Sequence, residues 1–118
     1  MKIQWHIASA LALYALGAPV VACVGAVAPD VSWLYNEARF RASGHVKWED
    51  WICTVSETSI IPYRVFHSFL LTGILLYPIS VPLLLGWWLH LAMDLPTHRG
   101  RMQQQPFYPF CWRWPWVI

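Results

Sequence analysis

His90 and Asp94 stand one helical turn apart in the stretch LHLAMDLPTHRG, residues 89–100, with His98 four residues further on. On a helix, side chains at i and i+4 share a face. An aspartate set among Leu91, Met93 and Leu95 must find a cation, a hydrogen-bonded partner or an aqueous boundary. His6, Asp30 and His67 are further imidazoles and carboxylates at the borders of apolar stretches. Imidazole and carboxylate without thiolate suit zinc, iron or manganese better than copper(I) or an iron–sulfur cluster. The expected ligands of a divalent metal are therefore His6, Asp30, His67, His90 and Asp94, with zinc the first choice and manganese or iron the alternatives. Each has a simpler role when taken singly. A lone His6 or His67 at a helix end commonly caps it, and Asp30, after Pro29 and before Ser32, reads as a helix stop or N-cap. His45, beside Gly44 in a polar segment, reads as solvent-exposed.

Bringing these residues together is a question of chain reversal. Two long apolar regions, residues 7–28 and 60–95, flank a more polar segment carrying Glu37, Arg39, Arg41, Lys47, Glu49, Asp50 and Glu57. Were the first region one straight helix, His6 and Asp30 would lie about 36 Å apart at about 1.5 Å per residue. Gly17-Ala18-Pro19 interrupts it, and Pro78 and Pro82 bracket Ile79-Ser80-Val81 in the second. Turns at these breakers make each region a helical hairpin, and eleven residues then separate His6 from Gly17, Pro19 from Asp30 and His67 from Pro78. The polar groups meet at the open end of a four-helix arrangement, where bundles build metal sites from facing helices. Arms of this size are about 16–20 Å long, short of a hydrocarbon core of about 30 Å, so such hairpins enter one leaflet or extend through their flanks.

The expected fold is all-α: a single membrane-associated domain over residues 1–118. It divides into a first hairpin (1–30), polar connecting helices (31–59), a second hairpin (60–95) and an irregular aromatic tail (96–118). Ser32 is expected to cap a helix over 33–41 that Gly44 ends, and residues 48–56 an amphipathic one with Trp48, Trp51, Ile52 and Val55 on one side. No alternation of period two lasts long enough for a sheet.

Composition narrows the function classes. Of 118 residues 58% are hydrophobic and 12% charged, against roughly 25% charged in an average soluble domain. The mean hydropathy is +0.42. A net charge of +2, with the basic residues scattered, excludes a nucleic-acid partner. Cys23, Cys53 and Cys111 are odd in number and lack CxxC or Cys–His spacing, so neither a disulfide framework nor a zinc finger is expected. Lys2 ahead of an apolar run has the look of a secretory signal with Val20-Val21-Ala22-Cys23 as a cleavage site, but the run is expected to be retained as the first hairpin.

An early helix histidine (His6), Pro29-Asp30, His67-Ser68, the His90 to Asp94 pair followed by Thr97-His98, and Tyr108-Pro109-Phe110 together resemble the small bacterial family of membrane-bound metal-dependent hydrolases. That family is itself similar in pattern to the all-helical zinc-dependent phospholipases C. The resemblance implies a bacterial inner-membrane location, a metal held by the residues above, and Ser68, Thr97 and His98 in supporting positions. Arg64 persists, whereas the extra imidazole that family members carry ahead of His-Ser is absent from residues 61–66, which argues against a second metal.

The expected activity is hydrolysis of an ester or phosphoester of an amphiphilic substrate by metal-activated water. Asp30 or Asp94 would take the proton, and Arg64 or Arg99 would steady the developing anion. No Gly-x-Ser-x-Gly or phosphate-binding glycine loop competes with this reading. The alternative is a small non-catalytic structural subunit packed against a larger membrane protein complex, its nine tryptophans serving as adhesive. Membrane lipids are expected partners under either reading.

Overall fold

The structure, a computed structural model, describes residues 3–96 and Tyr108, and every described element is helical. In order these are α1 (Ile3–Ala15), α2 (Val20–Gly25), a 3₁₀ turn (Ala28–Asp30), α3 (Val31–Ala42), α4 (Trp48–Thr54), α5 (Glu57–Phe66), α6 (Phe69–Leu76) and α7 (Val81–Asp94).

The first hairpin turns where the breakers stand. Gly17 takes the left-handed conformation, φ +83°, which costs glycine nothing. The Ala18 N–H reaches back to the Leu13 carbonyl at 2.9 Å and the Gly17 N–H to that of Tyr14 at 3.0 Å. This is the Schellman pattern that closes helix C-termini, and Pro19 then starts the return arm. The arms are unequal: α2 is short, and the chain reaches Asp30 through the 3₁₀ turn.

The second hairpin differs from expectation at both ends. Its turn is residues 77–80, and Pro82 lies inside the first turn of α7, where proline's missing N–H is harmless. Ser80 Oγ caps α7 by accepting the Leu83 N–H at 3.3 Å. The apolar run 60–76 is not one arm, because it breaks at His67-Ser68. Ser68 Oγ accepts the Leu71 N–H at 3.3 Å and so caps a new helix, α6. The pair Thr58–Phe66 and Phe69–Leu76 is bent by 64° there. Trp87 Nε1 donates to the Phe66 carbonyl at 2.8 Å and ties the end of α5 to α7.

Ser32 does not cap α3. It lies within the helix, buried, and its hydroxyl donates back to the Pro29 carbonyl at 2.9 Å, joining helix and 3₁₀ turn. Gly44, φ +76°, follows the end of α3 as expected.

Two packed regions hold the helices in place. Trp51, Ile52, Val55, Ile60 and Tyr63 form a cluster under α4 and α5, with Phe40 and Trp48 against it. The α2–α7 seam is a backbone contact: a Cβ on Gly86 would collide with the Ala22 carbonyl oxygen, and one on Gly25 with that of Leu83. Large apolar side chains on the outer faces of the hairpins stay exposed, among them Leu11, Tyr14, Leu16, Val20, Ile74, Tyr77, Ile79 and Leu85. Among the described residues no single helix is long and apolar enough to cross a membrane; the bent α5–α6 pair meets the length and composition test only when taken together.

Candidate metal centre

Four of the expected ligands converge. One ligand atom from each of His6, Asp30, His90 and Asp94 lies within 4.8 Å of the others, and the group could hold a metal ion. His6, His90 and Asp94 are completely buried and Asp30 nearly so. Asp94 is the hub. His6 Nε2 donates to Asp94 Oδ1 at 3.0 Å, while His90 Nε2 stands 3.2 Å from Asp94 Oδ2 and 3.5 Å from Asp30 Oδ1. The His6 and His90 rings stack with centroids 3.7 Å apart and planes inclined by 17°.

The backbone dictates the tautomer of His90. Its Nδ1 lies 2.9 Å from the Ala26 carbonyl oxygen. A carbonyl only accepts, so Nδ1 carries the proton and, in the neutral ring, Nε2 is a lone pair. That lone pair faces two carboxylates, and Nε2 has no hydrogen bond of proper geometry among the described residues. Lone pair against carboxylate in a buried site is repulsive unless a proton or a metal cation lies between them. Burial alone would lower the His90 pKa, but the carboxylates of Asp30 and Asp94 override it and raise it to about 9. A proton on Nε2, which the raised pKa favours, relieves this repulsion, and so would a metal ion, which the group could hold.

His67 stands beside this group and is not one of the four. Its Nδ1 donates to the Tyr63 carbonyl at 3.0 Å, which turns Nε2 toward Asp94 Oδ2, 3.8 Å away. Tyr63 stacks on the imidazole with centroids 4.0 Å apart. Burial first, then the charges of Asp94 and Asp30, push the Tyr63 hydroxyl well above its usual pKa, so the phenol stays neutral.

No family model, curated protein or solved structure matches this chain.

The remaining expected site residues are not among the four. Arg64 is half-buried on α5, in the turn before His67. Ser68 is buried, caps α6 and donates to the Tyr108 carbonyl at 3.2 Å. Asp30 stands at the N-cap position of α3 as expected but makes no capping hydrogen bond, and its Oδ2 has no hydrogen-bond partner among the described residues. His45 is exposed and bonds locally to Ser43. Thr97, His98, Arg99 and the aromatic tail apart from Tyr108 lie outside the described residues.

Three contributors were missed in the sequence: the Ala26 carbonyl, the Tyr63 ring and the Gly86 contact that sets the α2–α7 spacing. Tyr63 alone left a signal there, one turn before His67 at i and i+4.

Proposed function

We propose that this chain is a metal-dependent hydrolase of the bacterial inner membrane, cleaving an ester or phosphoester of an amphiphilic substrate. The observation that carries the reading is the convergence of one ligand atom each from the buried His6, Asp30, His90 and Asp94 within 4.8 Å of one another. A metal in this position would polarise the scissile oxygen and acidify a water molecule. His6, His90 and Asp94 would hold it, with Asp30 as the fourth ligand. His6 has an unpartnered Nδ1 that can keep the ring's proton when Nε2 turns to the metal.

The His–carboxylate separations of 3.0, 3.2 and 3.5 Å are of the size that ligands about 2.1 Å from one metal ion would take up, about 3.4 Å in a tetrahedron. Asp30, with one oxygen unpartnered, is the residue to accept the proton of the attacking water. Arg64, in the turn before His67 on α5, would steady the anion that develops. The apolar outer faces of the hairpins suit a lipid surface.

A second reading has its own support. Complete burial of three ligands, with large apolar side chains exposed along the hairpins, also fits a metal that clamps a non-catalytic subunit packed against a larger membrane complex. Purified protein separates the readings. Stoichiometric metal, with hydrolysis of bis(4-nitrophenyl) phosphate or 4-nitrophenyl esters lost on chelation and restored by manganese or zinc, supports the hydrolase. Bound metal without hydrolysis of either probe favours the structural subunit, and absence of metal rejects both.

A further inference from the structure

Between the two hairpins runs a slot of about 290 Å³ lined by Leu13, Ala18, Pro19, Ala22, Pro82, Leu85, Gly86 and Leu89. We infer that it seats one acyl chain of a membrane lipid, with the lipid's ester or phosphoester end toward His6, Asp30, His90 and Asp94. The inference rests on the proposed hydrolase for the head-group chemistry and on the slot alone for the chain.

The slot's direction is the first argument. Its outer end lies at the hairpin turns, at Ala18, Pro19 and Pro82, and its inner end at Ala22, Gly86 and Leu89. Gly86 is one turn before His90 on α7, about 6 Å along the axis, and Ala22 is one turn before the Ala26 carbonyl that holds His90. A bilayer lipid keeps its tail toward the hydrocarbon and its ester toward the polar boundary. The slot and the centre are laid out in the same order.

Charge and size select the occupant. Residues 7–29 and 77–93 contain no Asp, Glu, Lys or Arg, so the three arms that line the slot, α1, α2 and α7, are uncharged along it. Hydrocarbon is the environment that such arms match. The volume sits at the lower limit of small-ligand sites, about 300–1,000 Å³, and suits one linear chain where a helix about 10–12 Å across would not enter. The slot also resists filling by the protein itself. Its floor is the backbone contact of Gly86 with Ala22, which admits no side chain.

The test uses the full chain in phosphatidylethanolamine–phosphatidylglycerol vesicles containing palmitic acid with a mid-chain diazirine, photolysed and mapped by mass spectrometry. Adducts are expected to concentrate on Leu13, Leu85 and Leu89. Leu11, Val21 and Leu75, exposed outside the slot on faces that meet lipid directly, report the background labelling. Leu85→Trp, which fills the slot from its open side, should cut adducts at Leu13 by about tenfold, the loss expected when two methylenes leave an apolar site. Leu11→Trp should leave them unchanged. Undiminished labelling of Leu13 in Leu85→Trp, or an equal fall in Leu11→Trp, overturns the inference. Because labelling needs no turnover, a protein that labels in the slot and lacks metal or hydrolysis removes the hydrolase and leaves the slot standing.

Discussion

Asp94→Asn isolates the charge at the hub of the centre. The Asp94 side chain is fully buried, with His6 Nε2 at 3.0 Å, His90 Nε2 at 3.2 Å and His67 Nε2 at 3.8 Å. The amide keeps the shape and still offers an oxygen to His6, so the metal-free fold should survive. The negative charge that pairs with a cation is lost. Removing one partner of a buried ionic contact costs about 3–5 kcal/mol, or about two to four powers of ten in affinity. Competition against a chromophoric chelator, with metal content by mass spectrometry and helicity by circular dichroism, reads both quantities. His67→Gln is the internal comparison. His67 lies beside the four-residue group, and loss of a partner outside the ligand shell weakens metal binding by about 10–100-fold. The expected order is wild type, then His67→Gln, then Asp94→Asn. Wild-type metal affinity in Asp94→Asn would falsify the metal centre, and an equal loss in both variants would make His67 a full ligand.

Asp30→Asn should lower turnover by about 10²–10⁴-fold, the scale of a lost general base, while releasing metal less readily than Asp94→Asn; equal turnover in wild type and variant removes Asp30 from proton transfer. Gly86→Ala forces a methyl group into the Ala22 carbonyl. It should cost about 1–3 kcal/mol by overpacking and weaken the metal site as well, since α2 carries the chain to the Ala26 carbonyl; a thermal midpoint and metal affinity both matching wild type would refute the close seam. Trp51→Ala empties the cluster under α4 and α5. A loss of about 3–5 kcal/mol in chemical denaturation is expected, and less than about 1 kcal/mol would mean that this cluster is not a core.

The two hairpin turns were legible because their cause is local. Gly17 supplies a positive φ and Pro19 cannot continue α1, while Pro78 marked the second turn although Pro82, expected to bound it, lies inside α7. The break at His67-Ser68 was not legible in this way. Pro62 is the obvious breaker in that run, yet α5 continues through it, while the chain bends after Phe66. The bend is secured by the bond from Trp87 to the Phe66 carbonyl, made by a residue twenty-one positions away. Asp30 was ambiguous for a similar reason. A carboxylate ahead of a helix looks like a cap until the 3₁₀ turn is seen to point it at His90. The close α2–α7 seam depends on Gly25 and Gly86 meeting the backbone of the opposite helix, a relation that no spacing within either segment encodes.

The pairing of His6 with His90 carries the argument from geometry to cation. Their rings lie face to face at 3.7 Å. Two imidazolium charges at that separation would repel by about 4 kcal/mol at an effective dielectric of about 20. Asp30 and Asp94 nevertheless bring two buried carboxylates to the same point. Protonating both rings sets the stacked charges against each other, and protonating one leaves a net negative charge in a buried site. A single divalent ion held by the group would balance the two carboxylates and let both stacked imidazoles remain neutral.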